Sequence, residues 1–236
     1  MKIIAFGDSR YKRIALNWAK HLEAQKILDY TIYSTDRDIF DFLVPHQINT
    51  QLIPVNPFKN KDSYQWNLRF KFMSRLLDQG HDILHSDLDA VWLRNPINFI
   101  SKEYDIISSS GNMPREMYDI LGLSFCMGWI YISSNDKTRK IFKNIISSEP
   151  RHFDDQISFN RYLIKQGISH VSDYQKNIKK IIFGDITTLV LSQDIVSRHT
   201  SPDQNTFVSH PFSDHNIDRE LFLKRQNLWI LDNDKS

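Results

Sequence analysis

Apolar positions in the first hundred residues fall alternately into short runs and helical stripes. Lys2–Phe6 is a short apolar run and predicts a first strand. Over Arg13–Gln25, the residues Ile14, Trp18, His21 and Leu22 recur at helical spacing. Tyr30–Tyr33 is β-branched and aromatic and predicts a second strand, ending at Ser34-Thr35-Asp36. Leu52–Val55 is a third candidate, which Pro54 confines to an edge or a short extended piece. Tyr64–Asp78 sets Trp66, Phe70, Met73 and Leu77 on one side and Arg69, Lys71 and Arg75 among the rest, the pattern of an amphipathic helix. Gly80 suits the position just past its end. Ile83-Leu84-His85 then reads as a strand, and Asp87-Leu88-Asp89 follows at once.

After Pro96 the pattern loosens. Asp105–Ser108 and Phe125–Ser133 are strand-like, and Gly111–Leu123 reads as a loop or short helix. Ser134 or Asn135 can cap a helix from Asp136 to about Ile146. Asp154–Lys165 predicts another helix, closed by Gly167. Phe207-Val208-Ser209 is a late short strand running into His210, and Asp218–Gln226 is a last helix before Leu228–Leu231. Alternating strands and helices predict an α/β fold, with a mostly parallel central sheet flanked by helices in a single Rossmann-like domain over residues 1–236. Ligands of such sheets gather beyond the carboxyl ends of the strands, where Asp36 and Asp87 fall.

Composition narrows the function. Of 236 residues, 41% are hydrophobic and 25% charged, which excludes a disordered or collagen-like chain. The net charge of +2 gives little support to a nucleic-acid-binding module, although Lys137, Arg139, Lys140 and Lys143, or Lys176, Lys179 and Lys180, offer basic faces. Only 7 glycines argue against a Gly-rich phosphate loop. The one cysteine, Cys126, excludes an internal disulfide. No apolar run reaches the roughly 20 residues of a membrane span, and the apolar start is too short for a signal-peptide core. The expected location is cytoplasmic.

Asp87-Leu88-Asp89 carries the sharpest chemistry. In continued strand geometry the two carboxylates point the same way and Leu88 points to the other face. Such a pair can hold a hard divalent cation, which in turn binds diphosphate oxygens. Ordinary strand-end turns also contain Asp-x-Asp. The apolar strand before it, and Ala90-Val91-Trp92-Leu93-Arg94-Asn95-Pro96 after it, favour the metal site.

The stretch Gly80–Pro96 resembles the Asp-x-Asp segment of nucleotide-diphospho-sugar transferases with the GT-A fold, closest to the metal-dependent retaining group of xylosyl-, galactosyl- and arabinosyl-type enzymes. Further segments agree in order: Asn17–Leu22 with Tyr30–Asp36, Phe125–Ile132 containing Gly128, Asp154-Asp155-Gln156 to Asn160, and Val208-Ser209-His210 followed by Lys224 and Leu228-Trp229. The resemblance implies a glycosyltransferase that moves a sugar from a nucleoside diphosphate, a UDP-sugar first among the candidates, to an acceptor glycan, protein or nucleic acid, DNA included. It implies Mn²⁺ or Mg²⁺ on Asp87, Asp89 and His210, with the imidazole tilting the choice to Mn²⁺. Lys224 and Lys71 would attend the donor, Asp36 the nucleoside, Gly128 the sugar-side strand, and Asp155 and Gln156 the sugar itself. Retention of configuration is implied as well, with the nucleotide held by about residues 1–100 and the acceptor met by about 101–236. His215 competes with His210, but His210 follows a strand end directly, which fixes a ligand better than a loop does. A haloacid-dehalogenase-like phosphatase, with Ser108 and Asp154-Asp155 in its later roles, is the rival enzyme. Its Asp-x-Asp usually ends the first strand, whereas more than about 80 residues precede it here.

Overall fold

The computed structural model describes residues 1–53, 61–148, 154–174, 178–198, 201–211 and 218–231. In chain order the elements are β1 (Lys2–Gly7), α1 (Lys12–Ala24), β2 (Tyr30–Ser34), α2 (Arg37–Leu43), β3 (Thr50–Leu52), α3 (Lys61–Asp78), β4 (Ile83–Ser86), β5 (Val91–Trp92), β6 (Ile106–Gly111), α4 (Arg115–Leu121), β7 (Ser124–Ile132), α5 (Asp136–Ser147), α6 (Asp155–Lys165), β8 (Ile168–Tyr174), β9 (Ile178–Phe183), β10 (Ile186–Leu191), β11 (Val196–Ser197), β12 (Val208–Ser209) and α7 (Arg219–Arg225). The fold is mixed α/β, as the alternation predicts. Pro54 and Val55 and the side chain of Trp66 lie outside the described residues.

The chain forms two compact units. One consists of Ile3–Val55, Ser86–Phe99 and Gln193–Ser236. Its strands β1, β2 and β3 are parallel, with Ile3 opposite Tyr30 and Ile32 opposite Thr50. Helix α1 buries Ile14, Ala15, Trp18, Ala19 and Leu22, the stripe the sequence shows. Full burial of such side chains contributes roughly 1.5–3 kcal/mol each. The indole N–H groups of Trp18 and Trp92 both donate to the Ser86 hydroxyl, at 3.2 and 3.1 Å, so the polar edge of each large ring is satisfied inside the core. The Asn17 amide donates to Leu228 O at 2.9 Å and its oxygen accepts from Ile230 N at 2.9 Å, which ties the C-terminal segment to α1. A small sheet runs β11-β12-β5.

The other unit consists of Met1–Lys2, Asn56–His85 and Ile100–Ser192. Its strand order is β4-β7-β6-β10-β9-β8. In this part of the sheet β6 and β10 are parallel, whereas β7 runs against β6, and β9 runs against both β10 and β8. Two-residue turns allow neighbouring strands to pair only antiparallel. One such turn, Gly184-Asp185 with Gly184 at φ +60, joins β9 to β10, placing Phe183 opposite Ile186. All nine residues of β7 are buried. Phe70 of α3 stacks on Phe142 of α5 at 4.1 Å between ring centres, so the apolar face expected for α3 packs as read. Gly111–Leu123 resolves into the end of β6 and the short α4.

Candidate functional site

Three local devices place Asp87 and Asp89. The Ser86 hydroxyl is pinned by the two tryptophans. The Asp87 carbonyl accepts from Ala90 N at 3.0 Å, closing a tight turn. Leu88, between the two aspartates, is buried, and a Cβ on Gly7 would stand 2.5 Å from its Cδ1. Glycine at position 7 therefore leaves the space that seats Leu88. Strand β5 pairs antiparallel with β12, Ser209 opposite Val91 and Val208 opposite Trp92. Continuing that register brings His210 back beside Ala90 and Asp89. The amide of His210 donates to Ser197 O at 2.8 Å, which fixes its backbone.

His210 Nε2 lies 3.4 Å from Asp89 Oδ1 and 3.7 Å from Asp87 Oδ2. Ligand atoms of Asp87, Asp89 and His210 all lie within 4.8 Å of one another, and Asp89 and His210 are buried. Two carboxylates and an imidazole form a donor set that fits a divalent cation of Mn²⁺ type. Arginine attends both buried ligands. The Arg219 guanidinium is ion-paired with Asp89 Oδ2, and Arg198 Nη1 donates to His210 Nδ1 at 2.8 Å. Burial works against ionisation of Asp89, but the hydrogen bond and charge of His210, then Arg219 and Arg198, outweigh it and hold the carboxyl well below its usual range. Tyr11 is pushed up to about 12, first by burial and then by Asp89. Burial works against the charge of Arg219, yet Asp89 and its neighbours hold the guanidinium's pKa above its ordinary value.

The other residues singled out in the sequence are placed as follows. Asp36 caps α2: Oδ1 accepts from Ile39 N at 3.0 Å and Oδ2 from Ser9 N at 2.8 Å. Lys71 is on the exposed side of α3, and Gly128 is buried in β7. Lys224 pairs with Glu220 at 3.0 Å and lies 5.3 Å from the Trp229 ring centre, so the cation seen on Asp89 is Arg219. His215 is outside the described residues. In the other unit, Asp155 at the start of α6 is ion-paired with Arg69, whose Nε donates to Oδ2 at 2.7 Å. The Gln156 amide spans two strands of chain, its Oε1 accepting from Met127 N at 3.2 Å and its Nε2 donating to Met113 O at 2.8 Å. Ser108 donates to two backbone carbonyls and Asp154 caps α6, which is structural work rather than phosphatase chemistry. Sequence reasoning read Arg69 as part of the polar face of its helix and did not single out Asp8, Tyr11, Arg198 or Arg219. The one sequence signal was at Asp8, which directly follows the apolar run of β1; in the structure it is buried and pairs with Arg10 at 2.8 Å.

Among the described residues no helix is long and apolar enough to cross a membrane. The chain is 22% identical over 183 residues to arabinosyltransferase XEG113 of Arabidopsis thaliana, covering 70% of this chain and 28% of the relative. It is 31% identical over 98 residues to a UDP-galactose:fucoside α-3-galactosyltransferase of Dictyostelium discoideum, covering 40% of this chain and 15% of the relative. This chain thus spans less than a third of either relative. In fold it is similar to the galactosyltransferase LgtC, solved with donor and acceptor sugar analogs, at a TM-score of 0.58 and 14% identity over 97% of this chain and 96% of that one. The nucleotide-diphospho-sugar transferase family matches residues 30–216. With that match over most of its length, and a GT-A-type α/β fold carrying the Asp87, Asp89 and His210 cluster, the chain belongs to the nucleotide-diphospho-sugar transferase family.

Proposed function

We propose that the protein transfers a sugar from a UDP-sugar to a hydroxyl-bearing acceptor, with Mn²⁺ as its divalent cation and with retention of anomeric configuration. The observation that carries the reading is the convergence of Asp87, Asp89 and His210, residues of two separate segments, on one small volume. UDP is favoured because one relative's name specifies it. When bound, the cation supplies electrophilic neutralisation of the diphosphate charge that grows as the glycosidic bond breaks. Asp87, Asp89 and His210 would hold it, and the nearby Arg219 guanidinium adds positive charge in a partly dry site, where such charge counts for more than in water. Asp155 and Gln156 are assigned to the donor sugar. Their side chains are oriented by Arg69 and by the Met113 and Met127 backbone, so little reorganisation is needed when the sugar binds. Asp36, Lys71, Gly128 and Lys224 stay assigned to the donor side, although Asp36 and Lys224 also have the local partners described above. The nucleotide end is assigned to about residues 1–100, with His210 and Arg219 joining it, and the acceptor side to the remainder of about 101–236.

Thermal unfolding with nucleoside diphosphates, with and without Mn²⁺, tests the reading. A ligand at a hundred times its Kd stabilises by about 2.7 kcal/mol. For a chain of this length that raises Tm by roughly 5–10 °C. UDP should give the shift with Mn²⁺ and little without it. An equal shift in EDTA would remove the cation from the account, and a larger shift with another nucleoside diphosphate would replace UDP.

A further inference from the structure

We propose that Arg219 is a counter-cation built into the metal site. It holds Asp89 while the site lacks a divalent cation, yields that carboxylate when the cation enters, and transfers its charge to the donor diphosphate. The inference rests on the metal-dependent reading above.

The geometry gives the reason. Asp89 is buried, and a buried carboxylate is costly without a compensating charge. Its two oxygens are both engaged: Oδ1 faces His210 Nε2 at 3.4 Å and Oδ2 takes the Arg219 guanidinium. A divalent cation that uses Asp89 must therefore compete with a cation already present. Arg219 is suited to leave. Its side chain is 26% exposed against 8% for Asp89, so it reaches in from solvent towards a fixed partner. Asp218 caps α7 by accepting from Leu221 N at 3.1 Å, which sets the backbone from which Arg219 extends. A guanidinium fork matches phosphate as well as it matches carboxylate, so the same side chain can exchange one for the other. Lys224, the other basic candidate in this segment, is engaged by Glu220 and by the face of Trp229. The consequence is coupling. The cation alone binds against Arg219, whereas the cation with a diphosphate binds with a new partner waiting for the displaced guanidinium. Each ligand thus raises the affinity for the other.

Calorimetric titration tests this on the wild-type chain, on Arg219→Gln and on Arg219→Lys, using Mn²⁺ alone and UDP at saturating Mn²⁺. Arg219→Gln should bind Mn²⁺ alone about tenfold tighter and Mn²⁺-dependent UDP about tenfold weaker, the scale of one charge-assisted hydrogen bond. Arg219→Lys keeps the charge without the fork and should fall between Arg219→Gln and wild type in both titrations. Mn²⁺ affinity that is unchanged or lower in Arg219→Gln overturns the inference while leaving the metal site standing. A wild-type chain that binds UDP equally with and without Mn²⁺, and takes up no Mn²⁺, overturns the metal-dependent reading and the inference together.

Discussion

Asp155 and Arg69 allow structure and chemistry to be separated by one pair of substitutions. Their side chains are only 4% and 13% exposed, so the ion pair lies in the protein rather than on its surface. The Arg69 Nε donates to Oδ2 at 2.7 Å, while Oδ1 accepts from Gln156 N at 2.9 Å. Asp155→Asn keeps an oxygen for the Gln156 amide and removes the charge that faces the guanidinium. Breaking a buried ion pair costs about 3–5 kcal/mol, and the residual exposure of Arg69 favours the lower end. At roughly 2–4 °C per kcal/mol for a chain of this size, Tm should fall by about 6–12 °C. The double variant Arg69→Met with Asp155→Asn removes the buried cation together with the carboxylate charge and should regain most of that loss. Transfer activity should stay low in both variants if Asp155 meets the sugar. Thermal unfolding followed by circular dichroism, beside initial rates at saturating Mn²⁺, reads out both effects. A melting point within about 2 °C of wild type for Asp155→Asn would refute the buried-pair argument. Full recovery of activity in the double variant would refute the sugar contact.

Further outcomes follow from the metal cluster and its supports. EDTA should abolish transfer and Mn²⁺ restore it, measured as UDP released. Asp89→Asn should lower turnover on the order of 10²-fold or more at limiting Mn²⁺, the usual scale for removal of a key electrostatic group, and wild-type turnover would count against the cluster. Gly7→Ala puts a methyl 2.5 Å from Leu88 Cδ1, the free end of a rotatable side chain, so Leu88 must turn aside; the cost should be about 1 kcal/mol in denaturant unfolding, with weaker Mn²⁺-dependent UDP binding, and an unchanged affinity would mean that Leu88 does not set the aspartates. Burial works against ionisation of Asp105, but Thr187, Lys137 and Asn135 outweigh it and hold the carboxyl below its usual range. Its stabilisation is therefore full above the ordinary value near 3.9 and is lost as pH falls through the lower folded value, so Asp105→Asn should flatten the acid limb of the stability curve below about pH 4. An unaltered acid limb would remove Asp105 from that account.

What could be read in the sequence was whatever one segment settles by itself. Helix α1 and the described part of α3 show their buried faces as a stripe, because the core side of a helix recurs every three or four residues wherever the rest of the chain goes. Asp87 and Asp89 were readable for the same reason: an apolar strand, a stop and two carboxylates are local facts. The hairpin of β9 and β10 also had a local signal, Gly184-Asp185 between β-branched runs, and it was passed over in favour of longer patterns. Asp36 shows how much a local signal leaves out: the strand-end carboxylate is legible, but the backbone amides that donate to its two oxygens, one from its own helix and one 27 residues away, are not. Arg219 stands at the far limit, because its partner is 130 positions away and nothing on its own helix marks it apart from Arg225. The antiparallel register of β5 with β12, two residues against two, brings His210 to the aspartates and is too short for periodicity to reveal. A helical arginine reads as a solvated side chain until that pairing is known, so pairs like Arg219 with Asp89 are found from the carboxylate outward, by asking which charge a buried acid needs.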